Sequence, residues 1–133
     1  MWRAALHRLT FRQRQGLAGE RVAQAFLRRR GYRIVATNVR FPVGELDIVA
    51  WEGPVLCFIE VRMKASSRFG SPLASITATK RQRLLRAVEW YLARARGPEA
   101  SAEAIRFDVV AITHESGSPP RVELIRRAFD ASE

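Results

Sequence analysis

Two acidic residues on neighbouring strand-like segments are the residues best suited to chemistry. Asp47 lies in the segment that starts at Gly44, and Glu60 in the segment that ends at Lys64. Side chains alternate between the two faces of a strand, so Glu60, Arg62 and Lys64 should share a face. Charges start the first segment and end the second, so a turn at 52–54 with antiparallel pairing would bring them together. The spacing predicts two carboxylates and a cation at one edge of a buried sheet.

Such a group of charges is suited to binding a divalent metal. Neighbouring carboxylates in a partly desolvated site disfavour each other's ionised forms, and a divalent cation relieves that cost. Mg²⁺ takes one or two carboxylates, keeps several waters, and can hold a phosphate oxygen while presenting water to phosphorus. The alternative is an ordinary sheet edge where Asp47 and Glu60 pair with Arg62 and Lys64, because short acidic–basic motifs are weak signals.

Length and composition limit the class of protein. The chain of 133 residues, with 47% hydrophobic residues, predicts one domain over residues 1–133 with a single core. It has no apolar run of membrane-spanning length and no signal-peptide core, which predicts a cytoplasmic protein without a membrane partner. Cys57 is the single cysteine, so an internal disulfide is excluded. The two histidines, His7 and His114, are far apart, which argues against zinc binding and histidine catalysis.

The net charge of +10 indicates a polyanionic partner. Residues 1–40 contain ten arginines and a single acid, Glu20. Such a surplus attracts phosphates, so nucleic acid is the expected partner. A solvated basic face, or a genomic bias towards arginine, is the alternative. Of 23 basic residues, only Lys64 and Lys80 are lysines, and they can mark positions that need a compact charge or a removable proton, unless their placement is chance.

The hydrophobic periodicity predicts alternating helices and strands. Helical spacing indicates a helix at 17–30, ended by Gly31, and a second helix from a Thr77 cap to about residue 96. Strands are predicted at 32–41, with an interruption at Asn38, in the two charged segments, at 105–112, and at a short edge, 122–125. A polar loop covers 65–75. Residues 1–15 are predicted to form a basic N-terminal arm or a short helix.

Several short motifs in this order resemble a known family. The element order resembles the core of the restriction-endonuclease-like superfamily. More closely, the chain resembles the small bacterial YraN-type proteins, which are similar to archaeal Holliday-junction resolvases. The resemblance implies a three-layer α/β/α fold with a mixed central sheet and the core order helix-strand-strand-strand-helix-strand. The matching residues lie between 16 and 127: Gly19-Glu20, Gly31-Tyr32, Asn38-Val39-Arg40, Gly44-Glu45-Leu46-Asp47, Phe58-Ile59-Glu60-Val61-Arg62, Lys80 and Arg106-Phe107-Asp108.

The resemblance also implies a set of catalytic and metal-binding residues. Asp47 and Glu60 match the two acids that bind Mg²⁺ or Mn²⁺, with the Val61 carbonyl as a further ligand. Glu20 matches the acid that the first helix contributes in resolvase-like proteins. The alternative for Glu20 is a surface contact with Arg21 or Gln24.

One position departs from the nuclease motif. Arg62 stands where the motif usually has lysine, and arginine keeps its proton at any working pH. It can therefore hold a phosphate but cannot act as a general base. Lys64, two residues later on the same face, is the candidate substitute if its flexible side chain reaches back.

Five basic residues are candidates for contacting nucleic acid: Lys80, Arg40, Arg62, Lys64 and Arg68. Lys80 lies in the first turn of its helix, where a cation is disfavoured by about 0.3–1 kcal/mol, which suggests a phosphate partner unless solvent screens the charge. Two other acids have structural interpretations. Glu45 shares a face with Asp47 but is expected to balance nearby arginines, and Asp108 is expected to be an architectural ion-pair residue.

Three functions follow from these observations. The leading hypothesis is a Mg²⁺-dependent DNA endonuclease in which a metal-activated water attacks a phosphodiester, with branched or structured DNA as one substrate class. A catalytically inactive DNA-binding module of the same fold is the main rival, and Arg62 favours it. A protein-interaction scaffold is the third. A homodimer is left open, because symmetric cutting of two strands requires two active sites.

Overall fold

The computed structural model describes residues 11–64 and 76–129, which form a mixed five-stranded sheet and two helices. The strands lie in sequence order across the sheet; β3 and β4 are parallel, and the other neighbours are antiparallel. The predicted α/β class and core element order are confirmed. The elements are α1 (Phe11–Arg29), β1 (Arg33–Phe41), β2 (Gly44–Glu52), β3 (Val55–Lys64), α2 (Ala78–Arg94), a 3₁₀ helix (Gly97–Ser101), β4 (Ala104–Thr113) and β5 (Arg121–Phe129).

The two helices cover opposite faces of the sheet. Cys57 and Ile59 of β3 lie in a buried cluster with residues of α1. The alternating residues Leu56 and Phe58 lie in a second buried cluster with residues of α2. Alternation along β3 therefore separates the two cores, as the sequence predicts, and gives the three-layer arrangement.

The first helix is longer than its periodicity indicates. It begins at Phe11 rather than at residue 17, because the intervening arginines and glutamines are good helix formers. Residues 11–15 of the predicted arm are thus helical, and residues 1–10 lie outside the described part. The helix ends as predicted at Gly31, whose φ of 88° permits the closing hydrogen bond from the Tyr32 N–H to the Leu27 carbonyl at 3.0 Å.

The last strand is also longer than predicted. It continues past residue 125 to Phe129, across an irregularity at Arg127, which has a φ of 51°. The Arg127 N–H donates to Asp108 Oδ1 at 3.1 Å, and the Phe129 ring stacks on Phe107 at 4.8 Å between centroids. These contacts hold the strand in the sheet beyond its alternating segment.

None of the helices within residues 11–64 and 76–129 combines the length and the apolar character needed to cross a membrane. The predicted polar loop at 65–75, which includes Arg68, lies outside the described residues.

Candidate functional site

Asp47 and Glu60 lie on adjacent strands, at the point where β2 and β3 stop pairing. The last paired residues at this end are Ile48 and Ile59. Beyond them, Asp47 Oδ2 accepts a hydrogen bond from the Val61 N–H at 2.9 Å. The side chain therefore replaces a backbone acceptor, and this bond holds the Asp47 carboxylate beside β3, next to Glu60.

The alternation of side chains along β2 is irregular next to Asp47. Strict alternation predicts that Leu46 shares a face with Ile48 and Ala50. Instead, Leu46 belongs to the core cluster under α2, whereas Ile48 and Ala50 belong to the cluster under α1. The prediction was wrong at Leu46. The alternation of side chains along β2 breaks next to Asp47, whose carboxylate accepts the hydrogen bond from the Val61 N–H of β3.

Burial makes the charges of the two carboxylates costly. Glu60 is 5% exposed and Asp47 is partly buried. Burial, and then the charge of Glu60, raise the pKa of Asp47 to about 7, although the bond from Val61 acts in the opposite direction. Burial also raises the pKa of Glu60, against the lowering effect of Lys80 and Arg62. The pair therefore retains a proton more readily than ordinary carboxylates do.

Two cations lie near one oxygen of Glu60. Lys80 Nζ is 3.5 Å and Arg62 Nη1 is 3.7 Å from Glu60 Oε1. Arg62 extends from the same strand, whereas Lys80 comes from the first turn of α2. The predicted Thr77 cap is present, and its Oγ1 accepts a hydrogen bond from the Lys80 N–H at 3.1 Å. The cap therefore positions the helical turn that carries Lys80.

The lysine next to Glu60 was not predicted from the sequence. Sequence reasoning assigned Lys80 to a phosphate and proposed Lys64 as the substitute for the missing motif lysine. Lys64 is the last residue of β3, where its carbonyl accepts the His114 N–H at 3.0 Å. The rarity of lysine in this arginine-rich chain marks Lys80 in the sequence, but it marks Lys64 equally and does not show which of the two lies next to Glu60.

Glu20 has a specific partner close to the site. Asn38 Nδ2 donates to Glu20 Oε2 at 2.7 Å, and Asn38 has a φ of 52° within β1. β1 runs from Arg33 to Phe41, but the left-handed φ of Asn38 interrupts its extended geometry at the residue where the sequence predicts an interruption. Glu20 also raises the pKa of Asp47 through its charge. The predicted alternative partners, Arg21 and Gln24, are replaced by Asn38, a residue that sequence reasoning did not connect with the site.

α1 passes close to β3 at Gly19. A Cβ atom at Gly19 would overlap the sulfur of Met63, so a larger residue would require the flexible Met63 side chain to move. The neighbouring Glu20 therefore lies on the part of α1 that is next to the charged end of β3.

The other candidate residues fall into two groups. Arg40 is exposed and lies 3.6 Å from Glu45, in agreement with the prediction that Glu45 balances an arginine. Asp108 is buried in an ion pair with Arg106 at 2.8 Å, as predicted. Arg68 lies outside the described residues.

The two carboxylates fit a divalent metal with a small protein donor set. Within residues 11–64 and 76–129, no three His, Cys, Asp or Glu side chains form a group that could hold a metal ion. Glu20 is therefore not a third ligand in this arrangement. Two partly desolvated carboxylates, both with a raised pKa, match the requirement of Mg²⁺ or Mn²⁺ for one or two carboxylates with water and phosphate oxygens completing the shell. The Val61 carbonyl stays a predicted ligand.

We expect the raised pKa of Asp47 to make the metal-free fold less stable as the pH rises. Between about pH 4 and 7 the native carboxyl keeps a proton that the unfolded chain loses, so the free energy of unfolding falls across this range. Asp47→Asn, which can still accept the Val61 N–H, should exceed the wild type in stability at pH 8 by about 1–3 kcal/mol. Urea denaturation with EDTA from pH 4 to 8 measures this difference, with Glu89→Gln on the exposed face of α2 as the control. Parallel profiles of wild type and Asp47→Asn would contradict it.

Sequence comparisons match most of this chain to UPF0102 proteins from several bacteria. A UPF0102 protein from Desulfosudis oleivorans is 46% identical over 124 residues, which are 93% of this chain and 96% of that protein. A UPF0102 protein from Symbiobacterium thermophilum is 44% identical over 119 residues, 90% of this chain and 98% of the relative. A UPF0102 protein from Moorella thermoacetica is also 44% identical over 119 residues, 89% of this chain and 97% of the relative.

The family match includes the whole candidate site. The profile of the uncharacterised protein family UPF0102 matches residues 19–112, a range that contains Glu20, Asp47, Glu60 and Lys80. The chain therefore belongs to UPF0102, the family of the YraN-type proteins that its motifs resemble.

Proposed function

We propose that the chain is a Mg²⁺-dependent DNA endonuclease, with branched or structured DNA as one substrate class. The observation that carries the proposal is the pair Asp47 and Glu60 on adjacent strands, with Lys80 and Arg62 within 4 Å of Glu60. Two carboxylates and two cations at one sheet edge suit a phosphodiester better than a neutral substrate. The motif resemblance to restriction-endonuclease-like proteins supports the same reaction.

The residues of the site have separate roles in this proposal. Asp47 and Glu60 would hold Mg²⁺ or Mn²⁺, which supplies neutralisation of the phosphate charge and a water of lowered pKa. Lys80 offers a compact ammonium that can stabilise negative charge developing on the phosphate oxygens. Arg62 offers parallel N–H donors to a non-bridging oxygen and holds the phosphate in place. Because Arg62 keeps its proton, its role is limited to binding and charge stabilisation.

The net charge supports DNA as the partner. A surplus of +10 on a chain of 133 residues favours phosphate contacts and gives binding that weakens with salt. We place this activity in the cytoplasm. Symmetric cutting of both strands would require two sites, which a homodimer would supply.

A DNA-binding module without catalysis is the second candidate. The observation that favours it is the arginine at position 62, together with a Glu60 carboxylate that already has Arg62 and Lys80 close by. If these cations neutralise Glu60 sufficiently, the site binds phosphate without needing a metal ion. The two candidates make the same prediction for binding and opposite predictions for cleavage.

One panel of substrates tests both candidates. Labelled linear duplex, single-stranded, flap and four-way-junction DNA are incubated with Mg²⁺, Mn²⁺ or EDTA, and binding is measured separately in EDTA. Metal-dependent cleavage that Asp47→Asn abolishes supports the nuclease. Binding without cleavage by the wild type and Arg62→Lys supports the inactive module. Absence of binding at moderate salt rejects both and favours the protein-interaction scaffold.

We expect Lys80 to compensate for the missing motif lysine at position 62. Lys80→Met should lower kcat by about 100-fold in the wild type but less in an Arg62→Lys background, because the second lysine restores a compact charge at Glu60. A double-mutant cycle on kcat measures this coupling. Lys64→Met in the same two backgrounds is the matched comparison. Equal losses for Lys80→Met in both backgrounds would reject compensation by Lys80.

A further inference from the structure

A cationic groove leads away from the carboxylates along α2. One cleft, of about 230 Å³, is lined by Lys80, Arg83 and Leu84 of α2 and by Gly44 and Glu45 of β2. A second cleft, of about 370 Å³, shares Gly44, Glu45 and Arg83 with the first and extends to Arg40 at the end of β1. The two clefts therefore form one groove, which begins at the residue that contacts Glu60 and ends at Arg40.

The wall of this groove is fixed by close backbone packing. A Cβ atom built at Gly44 would lie 2.8 Å from the Arg83 carbonyl oxygen, so this position accommodates glycine alone without movement of α2. The Arg83 backbone is thus seated against the start of β2. Its exposed side chain extends from a rigid turn rather than from a loop.

The charges in the groove suit a chain of phosphates. Lys80 and Arg83 are one helical turn apart, so their side chains are neighbours about 5–6 Å apart at Cβ. Arg40, with a side chain that is 80% exposed, adds a third cation. Among the described residues that line the two clefts, Glu45 is the acidic one, and it lies 3.6 Å from Arg40. A phosphate of the substrate can replace Glu45 as the ion-pair partner of Arg40, because exposed ion pairs contribute little stability.

We propose that this groove binds the backbone phosphates of the substrate strand next to the scissile phosphate, with Arg83 and Arg40 as the contacting residues. The proposal rests on the proposed nucleic-acid function and adds the direction in which the strand leaves the site. Arg83 is a new assignment. Glu45 acts as an internal competitor of the phosphate for Arg40, so it sets a lower affinity than the three cations alone would give.

Salt-dependent binding separates this groove from the general effect of net charge. Fluorescence anisotropy with four-way-junction and duplex DNA in EDTA, from 50 to 200 mM salt, gives the slope of log affinity against log salt. Arg83→Ala and Arg40→Ala should each reduce the magnitude of the duplex slope by about 0.9, the value of one lost phosphate contact. Arg83→Ala keeps the backbone and Cβ that contact Gly44, so the fold should be retained, as circular dichroism can check.

Two matched controls make the result specific. Arg33→Ala removes the same charge from an exposed position at the opposite end of β1, paired with Trp51, and should leave the slope unchanged. Glu45→Gln should raise affinity several-fold at low salt, whereas Glu123→Gln, which adds the same charge change on β5, should not. If alanine substitutions of Arg33, Arg40 and Arg83 change the salt slope equally, the proposal that the groove binds phosphates is overturned.

The same variants distinguish failure of the groove from failure of the proposed nuclease. If the wild type cuts DNA but Arg40→Ala and Arg83→Ala have the same salt slope as Arg33→Ala, the groove proposal is rejected and the nuclease proposal stands. If the slopes fall as expected but no DNA is cut, the groove is supported and the nuclease is rejected. If the wild type binds no DNA, both are rejected.

Discussion

Replacing Asp108 by alanine is expected to lower the free energy of unfolding by about 3–5 kcal/mol. Alanine would leave the Arg106 guanidinium, whose side chain is 12% exposed, with Glu52 as its remaining carboxylate partner, at 2.7 Å. A largely buried charge would then lose most of its compensation. Equilibrium denaturation in urea measures the loss. The fully buried Asp108 side chain now accepts four hydrogen bonds: from Arg106 Nε and Nη2 at 2.8 Å each, the Tyr32 hydroxyl at 3.0 Å and the Arg127 N–H at 3.1 Å.

An exposed acid on the neighbouring strand is the control for this prediction. Glu123→Ala removes the same charge from β5 and should change stability by about 0.5 kcal/mol or less. Asp108→Asn should fall between the two variants, because its amide oxygen still accepts hydrogen bonds but its charge is lost. A loss below about 1 kcal/mol for Asp108→Ala would show that the network contributes little.

Much of the fold is predictable because its signals are local. Glycine at position 31 ends α1, Thr77 caps α2, and the alternation of β3 separates the two cores, all within a few residues of the feature they define. The ends of α1 and β5 were predicted less well. The continuation of β5 depends on the bond from the Arg127 N–H to Asp108, 19 residues earlier, and nothing in the local sequence of β5 reports that bond.

The candidate site was predictable where two strands carry it. Asp47 and Glu60 are connected by a turn, so their meeting follows from antiparallel pairing. Lys80 and Asn38 could not be placed in this way, because each reaches the site through packing between distant elements. Lys80 depends on where α2 crosses the sheet, and the Asn38 contact with Glu20 spans 18 residues.

These long-range contacts change the chemical interpretation of the motif. From the sequence, the arginine at position 62 favours the catalytically inactive DNA-binding module over the nuclease. In the structure, Lys80 Nζ lies 3.5 Å from Glu60 Oε1. The lysine ammonium that the motif usually has at position 62 of β3 therefore comes from α2. The arginine at position 62 therefore weakens the argument for catalysis less than the sequence alone indicates.

Asp47→Asn and Glu60→Gln are each expected to slow DNA cleavage by about 1000-fold or more, which equals about 4 kcal/mol in activation free energy. Both variants keep the shape of the side chain but remove a charge required for binding Mg²⁺ or Mn²⁺. DNA affinity in EDTA should stay the same or rise, because removing an acid from a phosphate site reduces repulsion. Single-turnover cleavage of the best substrate in the panel, together with anisotropy in EDTA, measures both effects.

The separation of binding from cleavage is what makes this prediction specific to a metal site. Glu123→Gln removes an exposed acid from β5, 63 residues from Glu60 in the chain, and should leave the cleavage rate within about twofold of the wild type. Asp47→Asn should also lose the stabilisation that Mn²⁺ gives the wild type in thermal unfolding, because a ligand that binds the native state raises its stability. If Asp47→Asn and Glu60→Gln cut DNA as fast as Glu123→Gln does, these carboxylates are not the catalytic centre. If they lose cleavage and DNA binding together, the defect lies in the fold or in substrate binding, and the metal assignment fails.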